Sequence, residues 1–190
     1  MNPLFFESSS DLHQWLQENH QDAAELWVGI YKKQAGKASV TWDEVKLEIL
    51  CFGWAEGKIQ PLDADSYAVR INPRKSKSKW SLSNVKRFQE LVDVDLVTPM
   101  GIKAFETRDV AYEEQQKKEN QITSLTPAFE SRLQANSVAW NYWEQAAPSY
   151  RKAAIRWVMR AKQIATRERR MHILIESCET GQKIPPMQKN

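Results

Sequence analysis

The sequence predicts an α+β protein: a small sheet of about three strands with packed helices, followed by a C-terminal helical segment. Three observations carry this reading. Residues 25–33, 54–60 and 67–71 are apolar runs of strand length, bounded by Gly, Pro and Asp. Between and after them, capping residues precede apolar positions at helical spacing. From residue 127 onward that helical spacing continues with no further strand-like run.

The elements follow in order. Ser8, Ser9, Ser10 and Asp11 offer N-caps for a helix bearing Leu12, Trp15 and Leu16. The first strand carries Trp27, Val28, Ile30 and Tyr31, and Gly36 breaks it. Thr41 and Glu44 fit a capping box, in which each satisfies the other's orphan amide. The helix they open carries Val45, Leu47, Ile49, Leu50 and Phe52 before Gly53 ends it. Two strands joined through Pro61, Leu62, Asp63, Ala64 and Asp65 come next, then a basic loop. Ser81 or Ser83 caps a helix through Val85, Phe88, Leu91 and Val92, and Pro99 starts another at its first turn. Residues 112–126 are polar and read as a linker, with a solvated helix face as the alternative. Thr126 and Pro127 open a helix bearing Phe129, Leu133, Trp140 and Trp143, and Pro148 restarts the helical phase. A last helix runs from Thr166 to Gly181, and the tail with Pro185 and Pro186 is read as non-helical. The predicted organisation is therefore 1–111 α+β, 112–126 linker, 127–182 helical and 183–190 tail.

Composition narrows the class. The chain has 190 residues, 42% hydrophobic and 27% charged, which suits a globular protein with a real core. Eight tryptophans imply several half-buried or buried indoles. The net charge of +3 is too small to argue by itself for a nucleic-acid partner. Its distribution says more: residues 1–31 hold no Lys or Arg, and the basic charge gathers in 70–87 and 151–170. A basic-free start is unlike a secretory signal, and no apolar run approaches a membrane span of ~20 residues. Membrane insertion is therefore not expected. With two cysteines and no disulfide framework, the expected location is cytoplasmic.

The densest feature is the loop Asn72-Pro73-Arg74-Lys75-Ser76-Lys77-Ser78-Lys79-Trp80-Ser81. Between Arg70 and Arg87 stand seven Lys/Arg and no Asp or Glu. Arg74 offers a planar fork, Lys75, Lys77 and Lys79 offer point charges, and the serines add hydroxyl donors. Such a cluster suits an anion at the start of the next helix. Trp80 would wall the pocket and Asn84 would orient the loop. Lys32, Lys33, Arg70, Trp54 and Glu56 lie near predicted strand ends and are expected to converge on the same place. There Trp54 is a second wall and Glu56 a candidate general base. The competing reading is a solvated loop beside a packed aromatic core.

Several strings together resemble one family. They are Leu26-Trp27-Val28-Gly29-Ile30-Tyr31-Lys32-Lys33, Leu50-Cys51-Phe52-Gly53-Trp54 with Gly57, the basic loop with Asn84, and Pro99-Met100-Gly101-Ile102. Trp157, Ala161-Lys162 and Thr166-Arg167 with Arg170 complete the set. The chain resembles the YdeI/OmpD-associated, or bacteriocin-protection, family over roughly residues 5–180. The resemblance implies a bacterial protein loosely linked to stress or antimicrobial-peptide resistance and to a porin. It implies little chemistry. Glu56 stands where the family often has aspartate, and Ala165 where it often has glutamate. The helical half is also similar to the tail of frataxin-like proteins proposed as iron chaperones.

Other candidates are weaker. Cys51, between Leu50 and Phe52 near a helix C-terminus, reads as a core thiol rather than a nucleophile. His13, His20 and His172 lack metal-ligand spacing, and Asp63 and Asp65 suit a turn, so neither a metal nor a cofactor is expected. Arg160, Lys162, Arg167, Arg169 and Arg170 form a second basic patch, either a nucleic-acid stripe or a solvated helix face. The expected function is binding of a phosphate-bearing or other anionic small ligand. The alternatives are a small enzyme using Glu56, or a nucleic-acid or protein-binding module whose protein partner is unspecified.

Overall fold

A computed structural model describes residues 2–188. The chain divides into two compact units, residues 1–113 and 114–190, each with its own apolar core.

The first unit is a four-stranded sheet with helices on one face. Its strands are β1 (Leu4–Phe5), β2 (Leu26–Tyr31), β3 (Trp54–Pro61) and β4 (Ser66–Pro73), in the order β1-β2-β4-β3. β4 pairs antiparallel with both neighbours, while β1 runs parallel to β2. The three expected strands are present, and β1 is an addition too short to carry a periodic signal. It is recognisable only through what it touches: a Cβ on Gly29 would lie 2.6 Å from the Phe5 ring, so glycine lets that ring lie flat on the sheet. Phe5 then stacks on Tyr31 at 4.5 Å.

Register decides the two faces. Leu26 pairs with Ile71 and Val28 with Val69, which puts these side chains on one face with Trp54. That face is covered by α1 (Ser9–Asn19), α2 (Trp42–Cys51) and α3 (Leu82–Val92). Leu12, Leu16, Val45, Ile49, Val85 and Phe88 all bury against it. The caps are those the sequence suggests: Ser8 with Asp11 and Thr41 with Glu44 form capping boxes, and Ser81 accepts from the Asn84 amide. α4 (Pro99–Glu106) is capped by Thr98. Its Gly101 lies so close to Cys51 O that a side chain would collide with it.

The polar stretch expected as a linker is helical as far as Asn120, within α5 (Val110–Asn120), and contains the boundary between the units. Pairs such as Lys117 with Glu114 at 2.9 Å and Gln115 with Glu119 at 2.8 Å support a polar helix without an apolar stripe.

The second unit holds α6 (Pro127–Ala135), α7 (Ser137–Gln145), α8 (Pro148–Met159) and α9 (Ile164–Glu179). Where one helix was expected across Phe129 to Trp143, there are two. Asn136 leaves the helical region at ψ 96° and its side chain caps α7 through the Ala139 amide at 3.1 Å. Leu133, Ala154, Met171 and Leu174 form the centre of this core. The tail, read as non-helical, contains one short helical turn. Pro185–Met187 makes a 3-10 turn, which tolerates proline at its start, and the buried Tyr150 hydroxyl accepts from Ile184 N at 3.0 Å. Among the described residues no helix is long and apolar enough to cross a membrane.

Candidate functional site

The basic loop is pinned between two turns. Arg74 N donates to Gly53 O at 3.0 Å, and Arg74 Nε donates to Trp54 O at 2.9 Å. On the other side Lys77 N donates to Thr107 O at 2.7 Å, and Asp109 N donates to Ser78 O at 3.0 Å. Lys77 adopts a left-handed φ of 57°, and the four bonds hold that unfavourable conformation.

Arg74 is mainly a fastener. Besides its bond to Trp54, its guanidinium lies 4.1 Å from the Trp80 ring centre. Burial holds its pKa below the ordinary guanidinium value, and the charge of Glu56 partly offsets this. Trp80 itself is 1% exposed and packs edge-on against Phe88 and Phe105 at 5.3 and 5.4 Å. The residue expected to wall a pocket is therefore part of the core, because a large indole gains most by full burial. Trp54 is equally buried, so neither ring presents a face on which a base could stack.

The expected convergence divides along the strands. Pro73 pairs with Trp54 at one end of the sheet, while Ser66 pairs with Tyr31 at the other. Lys32 and Lys33 follow Tyr31 and so lie a full strand from the basic loop, roughly 20–25 Å at 3.3 Å per residue. Lys32 Nζ instead donates to Ala64 O at 2.6 Å, and Asp63 closes that hairpin by accepting from Asp65 N and Ser66 Oγ at 2.8 Å each. Arg70 points to the uncovered sheet face, pairing with Glu25 at 3.5 Å and packing over Gly57. Glu56 is exposed on edge strand β3, next to a bulge. Asn84 contributes to the α3 cap through its backbone amide. Lys75, Lys77 and Lys79 are exposed, and Lys79 Nζ sits 5.0 Å from the Tyr112 ring centre.

Beside the loop is a cavity of about 180 Å³. Trp54, Arg74 and Ser76 line it, together with His20, Lys103 and Thr107. No Asp or Glu belongs to the described lining. His20 Nδ1 donates to Leu16 O at 2.7 Å, which fixes the ring at the edge of the cavity. Lys103 was not singled out from the sequence. Its signal was Gly101, whose missing side chain brings α4 against the end of α2 and so delivers Lys103 to the cavity. The cavity also adjoins the C-terminal ends of α2 and α4, whose carbonyls attract cations.

The remaining candidates are structural. Burial pushes the Cys51 thiol up to about 12 and Cys178 up to about 11, both far from thiolate at neutral pH. In the second basic patch Arg167 Nε donates to Ala161 O at 2.7 Å. Arg170 Nη1 donates to Trp157 O at 2.6 Å and stacks on that indole. These two arginines tie α8 to α9 and contribute packing before charge. Among the described residues no three His, Cys, Asp or Glu side chains gather as a metal site.

Residues 4–104 match the family model described as a domain of unknown function (DUF8412), and residues 124–181 match the model described as bacteriocin-protection, YdeI or OmpD-associated. The chain belongs to the DUF8412 family and carries a YdeI/OmpD-associated domain. The resemblance seen over roughly residues 5–180 is thus divided between two models, one for the sheet unit and one for the helical unit. The comparisons with curated proteins and with solved structures returned no match.

Proposed function

We propose that the DUF8412 unit is a binding module for a phosphate-bearing or other small oxyanion, held in the cavity between the basic loop and α4. The observation that carries this reading is the lining: Arg74 and Lys103, with the hydroxyl of Ser76, and no acid among the described lining residues. A volume of about 180 Å³ is below the 300–1,000 Å³ typical of drug-sized ligands, so it suits one oxyanion group rather than a whole nucleotide. The rest of a larger ligand would lie outside, over the exposed Lys75 and Lys77.

Charge bookkeeping sets the strength. Lys103 and Arg74 bring two permanent positive charges, and the two adjoining helix ends offset roughly one of them. About one net charge in a partly open cavity supports dissociation constants in the range of roughly 0.1–10 mM for a free ion. Residence in the cytoplasm and a part in resistance to antimicrobial peptides belong to the same proposal.

The test is a titration of the full chain with inorganic phosphate, followed by backbone amide chemical shifts. Lys103→Gln should weaken binding about tenfold, and Lys33→Gln, at the far end of the sheet, should leave it unchanged. Equal affinity in a folded Lys103→Gln variant would end the pocket reading.

A further inference from the structure

We propose that the YdeI/OmpD-associated unit has a ligand site of its own, a cavity that takes a small apolar monocarboxylate. The cavity measures about 480 Å³, inside the range of ligand-binding pockets. α7 lines it with Trp140 and Trp143, three residues apart and therefore on one helix face. Trp143 is held from behind by Tyr150, with ring centres 6.4 Å apart, and Trp140 is half-buried. α8 adds Ile155 to the apolar wall. Two indoles and an isoleucine make a bed for an alkyl or aryl group.

The charge lies at one edge of the same cavity. Arg151 and Lys152 line it within the first turns of α8. That helix begins with Ala147 at its N-cap, so no side chain caps its first amides, and its positive dipole end sits beside the two cations. Glu130 is the one acid among the described lining residues. Two cations and an uncapped helix end against one carboxylate leave an excess of roughly one and a half positive charges. A single negative charge on an apolar body complements both halves of the site: the body lies against Trp140 and Trp143, and the carboxylate meets Arg151 and Lys152. This site shares no residue with the loop cavity of the other unit, so it stands or falls separately from the oxyanion reading.

The probes are octanoate and its neutral isostere octanamide, titrated into the full chain labelled at the tryptophan indole nitrogen. Trp140→Phe and Trp143→Phe assign the two signals. Octanoate should shift both saturably, with the other indole signals unmoved, and octanamide should bind at least roughly tenfold more weakly. In Arg151→Gln/Lys152→Gln the two ligands should become equivalent, and an unchanged Trp157 signal, the other indole of this unit, reports that the unit is still folded. Equal binding of acid and amide by the wild type would overturn the carboxylate assignment. No saturable shift of Trp140 and Trp143 up to roughly 10 mM would overturn the site itself.

Discussion

Replacing Arg74 by lysine keeps the charge of the basic loop and removes its geometry, so it separates fastening from electrostatics. The substitution deletes the 2.9 Å bond from Nε to Trp54 O and the guanidinium stack on Trp80. A hydrogen bond from a charged donor contributes about 1.5–3 kcal/mol, and a partly desolvated cation–π stack about 1–2 kcal/mol. The contact from Nη1 to Lys79 O is 3.5 Å long and adds little. An ammonium on a flexible stem recovers some of this but cannot stack as a plane. The expected net loss is about 2–4 kcal/mol, a large share of the roughly 5–15 kcal/mol that holds a domain. Urea denaturation followed by tryptophan fluorescence, fitted with one transition for each unit, measures it. Lys75→Gln, fully on the surface, is the control and should stay within about 0.5 kcal/mol of wild type. If Arg74→Lys also stays within about 0.5 kcal/mol, the guanidinium does not hold the loop and the fastener argument is wrong.

Glycine substitutions should differ sharply by position. Gly101→Ala, which drives a methyl group into Cys51 O, should cost several times more than Gly36→Ala. The latter meets nothing within 4 Å and carries only the left-handed strain of φ 63°, about 1 kcal/mol. Thermal melts of both variants decide it, and equal losses would refute the close approach of α4 to α2. The two thiols should resist a disulfide reagent at pH 8 in the native protein and react once urea opens the units, since burial holds them near 12 and 11. Rapid native labelling of either would contradict its burial. Glu48 is a carboxylate whose pKa is raised by burial, with His13 at 2.8 Å opposing the shift. A raised folded value means that the fold binds the proton more tightly, so wild-type stability falls as pH rises from about 4.3 through the folded value. Glu48→Gln removes that fall, and its melting temperature relative to wild type should therefore increase from pH 4 to pH 7; a flat or decreasing difference would show that the His13 pair outweighs burial.

The sequence by itself determined the local structure with little ambiguity. Thr41 with Glu44, Ser8 with Asp11 and Thr126 before Pro127 are chemical solutions to orphan helix amides, and they operate within four residues whatever the rest of the chain does. The apolar runs in 26–31 and 67–71 likewise specified strands, while which face is buried was decided by pairing. What the sequence could not show is which elements meet. Asn136 as a cap, β1 as a fourth strand and the helical state of 112–120 depend on partners or on side-chain pairs that a periodic pattern does not reveal.

The candidate site shows the same division. The basic loop was visible because charge density is a local property. Its reading changed because sequence proximity cannot tell a free donor from an engaged one: Arg74 and Trp80 were absorbed into packing, while Lys103 and His20 arrived from elements far away along the chain. Lys32 and Lys33 looked like neighbours of Arg74 because all three lie near strand ends. Only the antiparallel pairing of β2 with β4 assigned them to opposite ends of the sheet. Burial, register and the glycine-permitted contact of α4 with α2 are long-range outcomes, decided when the core closes, and they select which of the many basic residues remain free to hold an anion.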